Sequence, residues 1–213
     1  LHAYKGEMVS ATRLAKEAIY IEQNLVKETV GSQDQVSAAH GGLNRIQFGQ
    51  TGDPVVTPVI LKEERKKSLE ENLMLFFTGV VRTAADVAST YINVIEHQQQ
   101  SLQQLSELVD EGIELLISNS DLDEFGQLLD RAWQTKQKLS SSVSSQKIDD
   151  IYNRARSAGA LGGKITGAGG GGMMLLYVPQ NKQNNVREAL SELLLIPFQF
   201  DIGGSQVIFY TDS

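Results

Sequence analysis

"GGKITGAGGGGMMLLYVP", residues 162–179, places seven glycines among its first eleven residues and then runs into an apolar stretch. Glycine has no Cβ, so such a run lets the chain take positive φ and lets backbone N–H groups come close to an anion or to another segment. Phosphate is the first ligand this suggests, but the order of the neighbouring elements argues against a self-sufficient phosphate cradle. In a dinucleotide-binding fold the glycines follow a strand and open a helix, whose N-terminus meets the pyrophosphate. Here an amphipathic helix over 146–158 comes first, with Ile148, Ile151, Tyr152 and Ala155 on one face and Gly159 as its stop, and the strand MMLLYV follows. No Gly-Lys-Ser/Thr closes the run, and Lys164 precedes the glycines instead. On composition alone a flexible turn and an anion or substrate loop stand equally open. The entropy that glycine surrenders, roughly 0.5–1 kcal/mol per residue relative to Ala in regular structure, implies some close backbone approach that compensates.

Upstream, LMLFFTG (73–79) reads as a buried strand, and helical periodicity then covers 84–100, 102–118 and 121–139, with Asp121 and Glu124 forming a capping-box start for the last. Downstream, a helix over 184–195 and a strand SQVIFY (205–210) complete the chain. The order strand, helices, strand, helix, strand predicts an α+β fold in which helices cover one face of a small sheet. The residues before about 60 read as a separate unit. It comprises a helix over 11–27 with Ser10 as N-cap, a loop and short helix ending at Gly41-Gly42, a strand through Ile46 and Phe48, and the strand-like VVTPVIL (55–61). The charged LKEERKKSLEEN (61–72) reads as the junction. The opening LHAYKG reads as the tail of a helix running into a turn, as though the chain were cut from something longer.

Composition narrows the partners. The 213 residues are 41% hydrophobic and 21% charged with four prolines, which is a globular balance. The formal charge of −7 opposes nucleic acid and anionic membrane surfaces, both of which draw on clustered Lys and Arg. The absence of cysteine rules out disulfides and thiolate metal sites in this stretch and suits a cytoplasmic setting. No apolar run reaches membrane-spanning length. His2 and His40 have no second ligand at metal spacing and read as structural.

Two segments together point further. KITGAGGGGMMLLYV resembles the third conserved motif of the GHMP kinases, the superfamily of galactokinase, homoserine kinase, mevalonate kinase and phosphomevalonate kinase, and VGSQDQVSAAHGG (30–42) resembles their catalytic-aspartate segment. Within the superfamily, EAIYIEQNLVKETVGSQDQVSAAHGGLN and LFFTGVVRTAADV are most similar to bacterial D-glycero-D-manno-heptose 7-phosphate kinases, and the similarity runs to the closing FDIGGSQVIFY. The resemblance implies residues 1–60 as the C-terminal part of the N-terminal domain and 61–213 as the C-terminal domain, a ferredoxin-like sheet with helices on one face. The family's N-terminal substrate segment and its phosphate loop are not in this sequence, so the chain resembles the C-terminal portion of a kinase, inactive by itself.

The implied activity is transfer of the ATP γ-phosphate, with Mg²⁺, to a hydroxyl of a heptose 7-phosphate, the anomeric hydroxyl being favoured. Kinases of other small sugars such as fucose or galactose share these motifs, and a non-catalytic ligand-binding module is the rival from another class. Asp34 matches the catalytic aspartate; a helix-capping or turn Asp is its ordinary alternative. Glu22 matches the acidic residue that holds Mg²⁺, and Gly167, Ala168, Gly169, Gly170 and Gly171 match the third motif. Lys164 and Thr166 are placed by the resemblance beside phosphate or substrate, as is Arg82, although a solvated turn Lys and an exposed helix-start Arg remain equally open. The resemblance is compatible with a homodimer.

Overall fold

A computed structural model describes residues 1–49, 53–80, 98–167 and 169–208. They form two compact units, one of residues 1–60 with the chain from Phe200 onward, the other of Leu61–Gln199.

In the first unit, α1 (Ala11–Tyr20) starts at Ser10, whose hydroxyl accepts from the Arg13 N–H at 3.2 Å, as the sequence predicts. The helix then widens into a π-helical turn, Ile21–Leu25, closed by Val26 N–H to the Ile21 carbonyl at 2.8 Å. It stops short of residue 27, because Lys27 takes a left-handed φ of 62° and Glu28 N–H bonds back to the Glu22 carbonyl at 2.9 Å. Glycine ordinarily marks such a stop, so the sequence gave no signal here. Helix α2 (Gln33–His40) ends at Gly41 and packs on α1 through Ala15, Val36 and Ala39, small side chains that admit a close approach. Strands β1 (Asn44–Gln47) and β2 (Val55–Pro58) pair antiparallel, with Ile46 opposite Val56 and both against the same cluster.

The end of the chain departs from expectation. Gly42 N–H bonds to the Asp201 carbonyl at 3.1 Å and Ser205 N–H to the Ala39 carbonyl at 3.3 Å, so the chain after Phe200 joins the first unit and not the expected 61–213 domain. The described part of SQVIFY, 205–208, is irregular instead of a strand. Gly203 and Gly204 lie so close to the end of α2 that a side chain at Gly204 would overlap the Ala39 carbonyl.

In the second unit the expected junction is a helix, α3 (Glu63–Glu71), held by the buried Leu69. Arg65 donates to the carbonyls of Leu115 (2.6 Å), Leu116 (2.7 Å) and Ser120 (2.9 Å). A cation there satisfies the terminal carbonyls of α4 (Gln99–Ile117) and complements its negative end. The remaining elements are β3 (Leu73–Phe77), α5 (Leu122–Gln137), α6 (Gln146–Ala158), β4 (Gly162–Ile165), β5 (Met173–Tyr177), α7 (Gln183–Ala189) and β6 (Leu194–Ile196). The expected helix over 84–100 lies almost wholly outside the described residues. Asp121 caps α5 by accepting from Asp123 N–H at 3.0 Å.

The four strands pair antiparallel in the order β4-β5-β3-β6. With helices between β3 and β4 and α7 between β5 and β6, this is the ferredoxin-like arrangement of an α+β fold. One sheet face carries Met74, Phe76, Ile165, Met174 and Leu176, and it is buried with Trp133 of α5, Ile148, Ile151 and Ala155 of α6, and Val186 of α7. Strands β4 and β6 correct the sequence reading: Gly-Gly-Lys-Ile is a strand, and Leu194–Ile196 is a strand where a helix to 195 was expected. The glycine stretch therefore joins strand to strand.

Candidate active site

The first group of site residues lies at the meeting of α1 and α2. The π-helical turn carries Glu22, half-buried, toward α2, where the Gln35 amide donates to its Oε2. Gln35 is itself buried, and its Oε1 has no hydrogen-bond partner. A π-helical turn is a frequent device for aiming a functional side chain. Gln23 ties the intervening loop down, donating to the Val30 carbonyl at 2.9 Å and the Ser32 hydroxyl at 3.1 Å. Asp34, one residue before Gln35, is exposed in the first turn of α2. No side chain caps α2 at its N-terminus, so Asp34 is not the capping residue that its ordinary alternative required. Glu22 and Asp34 are thus linked through a side chain, Gln35, that sequence reasoning did not single out. Its signal was its position: a polar residue on the inward face of a short helix, between exposed Asp34 and buried Val36.

The second group surrounds the turn between β4 and β5, and its glycines do not present a free cradle. Gly170 N–H donates to the Val143 carbonyl and Gly172 N–H to the Val80 carbonyl, both at 2.7 Å. Thr78 pins the turn from a third side, giving both its N–H (2.9 Å) and its hydroxyl (2.8 Å) to the Gly172 carbonyl. A Cβ at Gly169 would lie 2.9 Å from the Val143 oxygen, and one at Gly171 would lie 2.5 Å from the Val80 oxygen. The glycines let the turn be gripped by neighbouring backbone, which is the compensating approach that their entropy requires.

Thr166 is exposed, with its N–H (2.9 Å) and hydroxyl (3.3 Å) on the Met173 carbonyl, so it continues the hairpin. Lys164 is half-buried, and burial lowers its pKa. Beside it Lys136, on α5, donates to the Gly167 carbonyl at 2.6 Å, and burial together with the Lys164 charge lowers its pKa to about 8. Lys136 was missed by sequence reading because it sits in a helix with no motif of its own. Arg82 and Ala168 lie outside the described residues.

Among the described residues no three His, Cys, Asp or Glu side chains gather at a metal site, and no helix is long and apolar enough to cross a membrane. His2 pairs with Glu7 and Glu17 at the surface, away from any ligand set.

Residues 113–194 match the family described as GHMP kinases C terminal. The chain is 30% identical over 185 residues to the D-glycero-alpha-D-manno-heptose 7-phosphate kinase of Campylobacter jejuni, covering 83% of this chain and 52% of that protein. It is 29% identical over 191 residues to the bifunctional fucokinase/GDP-fucose pyrophosphorylase of Arabidopsis thaliana, covering 86% of this chain and 18% of that one. Among solved structures it resembles a D-glycero-D-manno-heptose 1-phosphate kinase from Bacteroides thetaiotaomicron, with a TM-score of 0.67 and 26% identity over 92% of this chain and 55% of that chain. The chain spans about half the length of these heptose kinases.

Proposed function

The chain carries a GHMP-kinase C-terminal domain, and on that premise we propose that the full-length protein is an ATP- and Mg²⁺-dependent sugar kinase acting on a hydroxyl, the anomeric one, of a heptose 7-phosphate. The observation that carries this reading is the hydrogen bond from Gln35 to Glu22, which fastens a half-buried carboxylate to the helix turn bearing Asp34. The similarity to a heptose 7-phosphate kinase over 83% of the chain supports the substrate class. On this reading residues 1–60 are the end of the N-terminal domain.

Glu22 fits a magnesium ligand. Gln35 occupies Oε2, which leaves Oε1 with no partner among the described residues, and a half-buried carboxylate gains from a cation. Mg²⁺ commonly takes one or two protein carboxylates and completes its shell with water and phosphate, so the single acid suffices. When bound, the ion draws charge from the phosphate oxygens.

The chain's own part is positioning and proton transfer. Asp34, exposed and uncapped, accepts the proton of the attacking hydroxyl as that oxygen bonds to the γ-phosphorus and the bond to the β–γ bridging oxygen breaks, releasing ADP. Gln35 keeps Glu22 fixed relative to that turn. The gripped glycine turn supplies a rigid support in the second unit, and the phosphate loop supplies the main contacts to the nucleotide. Asp34→Asn in the full-length enzyme lowers turnover, measured as ADP release, by a factor of at least about 10² while ATP still binds; unchanged turnover overturns the assignment. Similarity to a fucokinase over 86% of the chain favours one second reading, a kinase of an unphosphorylated sugar such as fucose, and a substrate panel separates the two.

A further inference from the structure

Strand β4 and helix α5 lie against each other because neither has a side chain where they touch: a Cβ at Gly162 would overlap the Gly126 carbonyl and come within 2.6 Å of the Asp130 nitrogen. This contact brings Lys164 of β4 and Lys136 of α5 to the same end of the pair, where Lys136 reaches the Gly167 carbonyl. Neither ammonium has a carboxylate partner among the described residues. The α5 carboxylate facing this strand, Asp130, is already taken by the Tyr152 hydroxyl (2.5 Å), the Gln134 amide (2.8 Å) and Arg156 (3.6 Å). In a chain of net charge −7, two half-buried cations are left beside each other without an anion.

That arrangement is costly, since desolvation and mutual repulsion both disfavour the charged forms. The depressed pKa of each lysine agrees with it. The neighbouring backbone offers little neutralising help to an anion, because Gly170 and Gly172 spend their N–H groups on Val143 and Val80. Charge recognition here falls to the lysines.

We propose that Lys136 and Lys164, at the edge of the 166–172 turn, form a binding site for a phosphate group. The ligand is a phosphoryl oxyanion, carried either by a nucleotide or by a phosphorylated sugar. The site itself does not depend on the kinase reading; only the identity of the phosphate's carrier does.

The test uses the full-length protein and pyrophosphate as the probe, titrated calorimetrically against wild type, Lys136→Met, Lys164→Met and Lys136→Arg. Each Met variant weakens pyrophosphate binding at least tenfold, and Lys136→Arg stays within about threefold because the charge is kept. Thermal melting accompanies each titration: removing one of two repelling cations leaves the melting temperature unchanged or higher, whereas a merely structural lysine lowers it. Pyrophosphate affinity unchanged in both Met variants, or a lower melting temperature with affinity retained, overturns the proposal. Steady-state kinetics then assigns the carrier. A KM raised tenfold for the phosphosugar alone marks the sugar phosphate, and one raised for ATP alone marks the nucleotide; either result supports the site. Should no sugar be phosphorylated at all while the Met variants lose pyrophosphate, the kinase reading fails and the phosphate site stands.

Discussion

Gly41 and Gly162 face the same steric situation in different surroundings. A Cβ at either would overlap backbone, that of Gly203 and Gly204 in the first case and that of Gly126 and Asp130 in the second. Around Gly162, α5 and β4 border a core of fifteen buried residues that includes Trp133, Phe76 and Ile148. Around Gly41 the opposing segment is irregular chain beyond Phe200, and the core beneath α2 has three buried residues, all small. A close backbone contact is only as rigid as the elements it joins. The second unit therefore holds its glycine turn by embedding, whereas the first holds Glu22 and Asp34 by a few specific bonds.

Substitution at the two glycines breaks this comparison or upholds it. Gly162→Ala forces α5 off β4 with no flexible side chain to yield, and the expected loss is about 3 kcal/mol or more, at the upper end of overpacking. Hydrogen exchange on the full-length protein reads it as lost protection across α6 and β5. Gly41→Ala meets both a left-handed φ of 64° and the same kind of overlap, but residues 203–204 can withdraw. Its expected cost is smaller, about 1–2 kcal/mol, confined to α2 and the chain after Phe200. Equal losses, or a larger one at Gly41, would show that the second unit's core does not stiffen its glycine contact.

The same contrast explains what was legible in the sequence. Helix α6 was read to the residue because Ser145, the apolar stripe and Gly159 agree, and the structure shows the Ser145 cap and a φ of 117° at Gly159. Strand β4 was missed because Gly-Gly-Lys-Ile lacks strand character; its glycines answer to α5, a partner some 35 residues earlier that no local pattern names. The stop at Lys27 was hidden because a lysine occupies the place usually given to glycine. Asp34 and Glu22 were found through a motif, but Gln35, which links Glu22 to the turn of Asp34, shows itself only once α1 and α2 are packed. Lys136 is invisible for the same reason as β4: its meaning comes from a strand distant in sequence.

The smallest expected effect sharpens the comparison through pH. In the second unit the folded-state pKa of Lys136, about 8, lies below the 10.5 of the unfolded chain. Between these values the unfolded state binds more protons, so stability rises with pH; below about pH 8 the full cost of the charged lysine is present. Tyr152 and Tyr177 have raised pKa values and act in the opposite sense above about pH 10, so the window to read is pH 8–10. In the first unit His2, raised first by its bond to Glu17 and then by that to Glu7, contributes stability that is whole below the unfolded value of 6.5 and is lost as pH rises through its folded value. Local stabilities from hydrogen exchange should therefore slope in opposite directions, downward above pH 6.5 for α1 and upward from pH 8 for α5. Lys136→Met flattens the second slope and raises stability at pH 7 by about 1–2 kcal/mol, a discounted share of the desolvation cost. If α5 instead loses protection on that substitution, Lys136 is holding the glycine turn through the Gly167 carbonyl and its burial is not a cost that the fold carries for an anion.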